Sequence, residues 1–312
     1  MPWKDGYTIS DEIGIADSDI RWPDARRLGV HIVVNLNIAG GPAGITRADI
    51  QSAPSVFAIH EGLDLVVGAL ARHDLKATVA VPAVLAKAFP KRISALADAG
   101  HEIAALAAKG EDMSKLPRAE EQARIELATE ILGQAAGARP TGWFTLPRQQ
   151  DPYGVGTVSP ATIELLLDAG YAYFGNGLAD DAPHYWVCDF ARRRALLALP
   201  YYYHFDDQYF AMFPAKGTGL ENADMLVRNW RAELDAQYRR GRFFTMVLHP
   251  QHAGWSSRLG LLEDFLAEMM GRPGLWVATG AAIARHWQTS YPPETHLKLE
   301  PSIWKDFPGS LS

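Results

Sequence analysis

Residues 77–105, ATVAVPAVLAKAFPKRISALADAGHEIAA, hold two apolar runs with a helical pattern between them. Ala77-Thr78-Val79-Ala80-Val81 is short, rich in β-branched residues and closed by Pro82, which reads as a strand. From Val84 to Ala97 apolar residues recur at helical spacing, and Gly100 ends that run. His101 to Ala105 is a further strand candidate. Strand, helix and strand in this order make a βαβ unit, whose two strands run parallel and are joined by a crossover.

The same alternation extends in both directions. His31 to Ile38 is a β-branched run and reads as a buried strand, followed by a helical pattern from His60 to His73. Pro117 to Leu132 is a predicted helix with proline at its start, Glu120 and Glu121 in the early turns, and Gly133 after it. Gly142 to Thr145 is a strand candidate, and Ser159-Pro160-Ala161-Thr162 caps a helix that Gly170 closes. Tyr171–Phe174, Ala195–Leu199, Phe243–Leu248 and Leu275–Ala278 read as strands. Glu221–Arg240, Ser257–Met270 and Ala281–Gln288 read as helices. The expected fold is α/β, with about seven such units closing a (β/α) barrel of parallel strands rather than an open sheet. The expected organisation is one barrel domain over residues 1–290, including an N-terminal extension, and an extended arm over 291–312 marked by Pro292, Pro293, Pro301 and Pro308.

Composition narrows the function classes. The chain has 312 residues, 48% hydrophobic and 21% charged, enough for a sizeable core. A net charge of -6 argues against nucleic acid or an anionic membrane as partner. Cys188 is the single cysteine, so no internal disulfide forms, and nothing implies an oxidising compartment. Met1 to Gly6 lacks the pattern of a signal peptide, and no apolar run is read as long enough to span a bilayer. The expectation is a cytoplasmic protein acting on a small molecule. No GxGxxG follows a strand, and Gly40-Gly41-Pro42-Ala43-Gly44 lacks the Lys-Ser/Thr of a P-loop, so no nucleotide cofactor is expected.

Several segments, in order, resemble the polysaccharide deacetylase (NodB-homology) family and its cytoplasmic branch of allantoinase-like and cyclic-imide-hydrolase-like proteins. They are Arg21–Val30, Gly100-His101-Glu102-Ile103, Arg139–Trp143 with Ser159–Thr162, Asp180-Asp181 with Tyr185-Trp186, Pro200-Tyr201 with Asp206-Asp207 and Phe210, and Leu248-His249-Pro250-Gln251 with Gly254 and Arg258-Leu259. The resemblance runs from about Tyr7 to Trp287. It implies a distorted (β/α) barrel with a site at the C-terminal ends of the strands, and relatives that tend to form homo-oligomers. It also implies a metal held by one aspartate and two histidines, beside a second aspartate acting as base. Here those positions fall on Asn37, Leu106, Gly110 and Asn35. An alkyl group and a bare backbone offer no metal donor, and an amide takes no proton at working pH. The third-motif arginine falls at Phe144, with Arg148 as a shifted substitute, and the fourth-motif aspartate falls at Phe174. What persists is His249, which the resemblance makes the general acid.

The expected catalytic residues are therefore His249, with Asp206 or Asp207 as base or orienting group. Asn35, Asn37, Trp143, Arg148, Tyr201 and Phe210 are the expected substrate contacts, and no resident metal is expected. The aromatic run Tyr201-Tyr202-Tyr203, Phe205, Tyr209, Phe210 and Phe213 suits a wall against a flat ring. His252 reads as an exposed loop residue, His31 and His101 as structural, and Asp180 and Asp181 as turn residues. Three functions are open: a metal-independent hydrolase of a C–N bond in a small cyclic amide, imide or ureide; an inactive binding or scaffold subunit; and a relocated metal site built from His204, Asp206, His249 and His252.

Overall fold

A computed structural model describes residues 8–9, 15–39, 41–146, 156–175, 180–189, 191–200, 206–207 and 223–297. Its strands are β1 (Thr8–Ile9), β2 (Leu28–Asn35), β3 (Thr78–Val81), β4 (Glu102–Ala105), β5 (Gly142–Trp143), β6 (Tyr173–Phe174), β7 (His184–Asp189), β8 (Arg194–Ala198), β9 (Phe243–Leu248) and β10 (Leu275–Ala278). They form one sheet in the order β1-β7-β8-β6-β5-β4-β3-β2-β10, with β9 also paired to β2. The run β9-β2-β3-β4-β5-β6-β8 is parallel throughout. This is the curled parallel sheet of the expected α/β barrel.

The strands read as unbroken apolar runs because both faces of the sheet are buried. Successive residues alternate between two cores. Ile32, Val34, Val79, Ile103 and Leu248 point outward against the helices. Val33, Ala80, Ala104, Phe144, Tyr173, Leu197 and Val247 point into the barrel. Lower in the barrel, the Thr78 hydroxyl donates to Glu102 Oε2 at 2.8 Å and lies 2.9 Å from His31 Nε2. Glu102 also accepts from Tyr173 Oη at 3.0 Å and from the Ala281 backbone N–H at 2.9 Å, which ties the helix Gly280–Ser290 across the floor. Burial raises the Glu102 carboxyl against these hydrogen bonds, and burial pushes His31 down to about 3. His31 is thus a neutral, structural histidine.

Several elements differ from the sequence reading, the following for local reasons. The expected helix from Val84 splits into Ala83–Ala88 and Pro90–Asp98, because Phe89 precedes a proline and leaves the helical region at φ -132°, ψ 54°. The expected stop at Gly133 is passed: the helix runs Arg118–Ala136 and ends at Gly137, which takes the left-handed conformation at φ 72°. Gly133→Ala should then stabilise the protein by about 0.5–1 kcal/mol through helix propensity, whereas Gly137→Ala should destabilise it by about 1 kcal/mol. Chemical denaturation of the two variants measures both signs. β7 was not read as a strand; it pairs antiparallel with β8 and with β1, so its residues do not follow the βα rhythm. The C-terminal arm starts with a helical turn, Pro293–His296, rather than extended chain, and Leu297 is buried against the barrel core.

The helix Ala53–Ala71, continuous through a π turn at Ala58–Gly62, is longer than the helical pattern read from His60. At 19 residues it is long and apolar enough to span a membrane by length and composition, contrary to the sequence reading. In this fold Ile59, Leu63, Val66, Ala69 and Leu70 spend that apolar face on the outer core.

Candidate active site

The site lies at the C-terminal ends of β2 and β9. Val34 pairs with Leu248, so Asn35 and His249 stand beside each other where the two strands end. Asp206 forms a parallel bridge with Val247 on the free edge of β9, which brings the Asp206-Asp207 pair against the same strand end.

His249 is gripped at two points by one carboxylate. Its backbone N–H donates to Asp207 Oδ2 at 2.8 Å, and its Nδ1 lies 2.7 Å from Asp207 Oδ1. Asp206 Oδ1 lies 3.2 Å from the same ring nitrogen. All three side chains are buried. Burial opposes charge on the imidazole, but the two carboxylates outweigh it and lift the His249 pKa to about 10. Burial raises Asp207 to about 6 despite the adjacent imidazole, with the Asp206 charge adding to the rise. The imidazole therefore carries a proton on Nδ1, and Nε2 has no hydrogen-bond partner among the described residues. A charged ring held in one orientation, with Nε2–H to offer, is a general acid.

Facing it, the Asn35 side-chain oxygen accepts from the Asn37 backbone N–H at 2.8 Å, and the Asn37 oxygen accepts from the Ala39 N–H at 3.0 Å. These bonds fix which end of each amide is oxygen, leaving both NH2 groups as donors. Gln251 Nε2 donates to the Asn37 backbone oxygen at 2.9 Å and locks the β2 end to the segment after β9.

The remaining expected site residues divide. Trp143 is a correction: it turns outward from β5 and packs edge-on against Tyr171, ring centroids 5.3 Å apart, while Phe144, one residue on, turns into the barrel. Alternation along the two-residue strand sets the side each ring takes, and a run this short shows no period in sequence. Arg148, Tyr201, Phe210 and His204 lie outside the described residues. Asp180 and Asp181 belong to an ion cluster with Arg240, Arg242 and Asp17 at the opposite end of β9. His101 is structural: its Nδ1 accepts from the Ala77 N–H at 3.0 Å. His252 is not an exposed loop residue. It sits half-buried on the helical turn Pro250–Ala253, its ring centroid 6.1 Å from that of His249.

The family model for polysaccharide deacetylase matches residues 57–174. A Schizosaccharomyces pombe protein named "Putative polysaccharide deacetylase" is 24% identical over 223 residues, covering 65% of each chain. The present chain thus spans just under two thirds of that relative's length. A crystal structure of a "putative polysaccharide deacetylase" from Mycobacterium smegmatis superposes with a TM-score of 0.76 at 25% identity, covering 89% of this chain and 95% of that one. Residues 57–174 thus carry a match to the polysaccharide deacetylase family, and the chain shares the barrel of these relatives. A crystal structure of Puue allantoinase shares the fold, with a TM-score of 0.74 at 22% identity over 87% of this chain and 93% of that one.

Within this barrel, the three positions that the resemblance assigns to the metal do come together. A Cβ on Gly110 would stand 2.8 Å from Asn37 Oδ1 and 3.5 Å from Leu106 Cδ2. The residues there do not fit a metal. Leu106 is an alkyl group, Gly110 has no side chain, and the Asn37 oxygen is already bonded to backbone. Asp206, Asp207 and His249 present ligand atoms within 4.8 Å of one another, close enough for an ion. Their 2.7 Å Nδ1 to Oδ1 contact has the length of a charge-assisted hydrogen bond, in which the proton takes the place an ion would need.

Proposed function

We propose that this protein hydrolyses a non-peptide C–N bond in a small cyclic amide, imide or ureide, without the family's metal. The observation that carries this reading is His249, clamped at its backbone and its ring by Asp207 and kept charged by two carboxylates. Its Nε2–H would protonate the leaving nitrogen as that C–N bond breaks. Asn35 and Asn37 would donate to the carbonyl oxygen on which negative charge builds as water adds to the carbon. The shared fold of the Puue allantoinase supports the substrate class, and a cyclic substrate keeps its leaving nitrogen tethered within reach of the acid. An inactive binding subunit would have no use for a buried carboxylate pair around one imidazole, which costs desolvation energy to keep.

The test is a panel of cyclic imides and ureides alongside N-acetylated sugar oligomers, each assayed before and after exhaustive chelation. Turnover of a ring substrate that survives chelation is the expected result. Hydrolysis of the acetylated sugars alone, abolished by chelation and restored by zinc, would sink the reading.

A further inference from the structure

His249 is committed as an acid, so it cannot also take the proton from the attacking water. The position that the resemblance assigns to the family's base is Asn35, whose amide binds no proton at working pH. Hydrolysis at this site therefore needs a second titratable group near the strand end. The Asp206 and Asp207 carboxylates already face the His249 ring.

Three residues beyond His249, the helical turn Pro250–Ala253 returns His252 to the same place. The His252 backbone N–H donates to the His249 carbonyl oxygen at 2.8 Å, and the two rings lie 6.1 Å apart at 59°. His252 is half-buried, and neither of its ring nitrogens has a hydrogen-bond partner among the described residues. The two imidazoles thus differ in kind: one is saturated by carboxylates, the other has an open lone pair.

We propose that His252 is the general base of the hydrolysis, a role that rests on the C–N hydrolase reading. Its ring takes a proton from water as the water oxygen bonds to the carbonyl carbon. His249 gives its Nε2 proton to the leaving nitrogen as the C–N bond breaks. The ring opens to a carboxylic acid and an amide or amine nitrogen, and solvent carries the proton from His252 back to His249. The surroundings set the two roles apart. Burial, then the positive charges of His249 and Arg258, push His252 down to about 4 against the opposing charge of Asp206. Two histidines driven in opposite directions are what acid and base require.

The experiment compares wild type, His252→Gln and His252→Ala on the ring substrate found by the panel. Expected is a fall in kcat of about 100-fold with KM unchanged, partial rescue of His252→Ala by free imidazole, and unchanged melting temperature. In parallel, 15N spectra of the full chain, assigned by difference from His252→Gln, should show a neutral ring at pH 7. Turnover within about twofold of wild type, or a ring that is charged at pH 7, overturns the assignment while leaving the hydrolase reading intact. Absence of any ring-substrate turnover by wild type overturns both.

Discussion

Asp207→Asn should cut turnover by about 10²–10⁴-fold while leaving the protein folded, because it strips His249 of the carboxylate that orients and charges it. An amide can still accept from the His249 backbone N–H, but it no longer holds a positive ring. His249→Gln should lose at least as much. The pair gives a second readout independent of substrate. The His249 pKa is raised from 6.5 to about 10 in the folded chain. Its contribution to stability is then fully present below pH 6.5 and is lost as pH rises towards 10. Wild type should lose melting temperature across that window, whereas His249→Gln should lose less. Equal slopes for the two proteins would show that the buried pair does not stabilise the charged ring.

Gly62→Ala should be strongly damaging, because the added methyl meets the turn that carries the site. A Cβ there would stand 2.4 Å from the Pro250 carbonyl oxygen and 3.1 Å from its carbon. Both are backbone atoms, so the turn that carries His249 and His252 has to move. The φ of Gly62 is -57°, so conformational freedom is not the reason for glycine here; close approach is. Overpacking of this kind costs about 3 kcal/mol, which for a chain of this size lowers the melting temperature by about 5 °C. Activity should fall further than stability explains, since the two histidines ride on the displaced turn. Gly68→Ala in the same helix is the control: its Cβ would meet only Arg72 Nη1, at 3.9 Å, and it should be neutral or stabilising. Melting curves of both variants, with turnover at a temperature where both are folded, separate the effects.

Much of the barrel was legible in order along the chain. Phe243–Leu248 and Leu275–Ala278 are strands with the ends that the sequence indicated. Boundaries slipped where a competing local rule applied, as at Phe89 before Pro90, or where two glycines offered stops four residues apart, as at Gly133 and Gly137. β7 was missed because an antiparallel hairpin strand carries no helix after it to announce it.

The site divides in the same way. Residue types alone determined that Leu106 and Gly110 bring no metal donor, and that His249 and the Asp206-Asp207 pair were the groups left for chemistry. Tertiary structure decided the rest, because it depends on distances between residues far apart in sequence. Asp207 reaches His249 from 42 residues away and takes both its backbone and ring nitrogens. Trp143 faces out and Phe144 in, since sheet register sets which side of a strand meets the pocket. His252, a loop residue by sequence, is one helical turn from the acid, where burial and its neighbours' charges give it the opposite protonation preference.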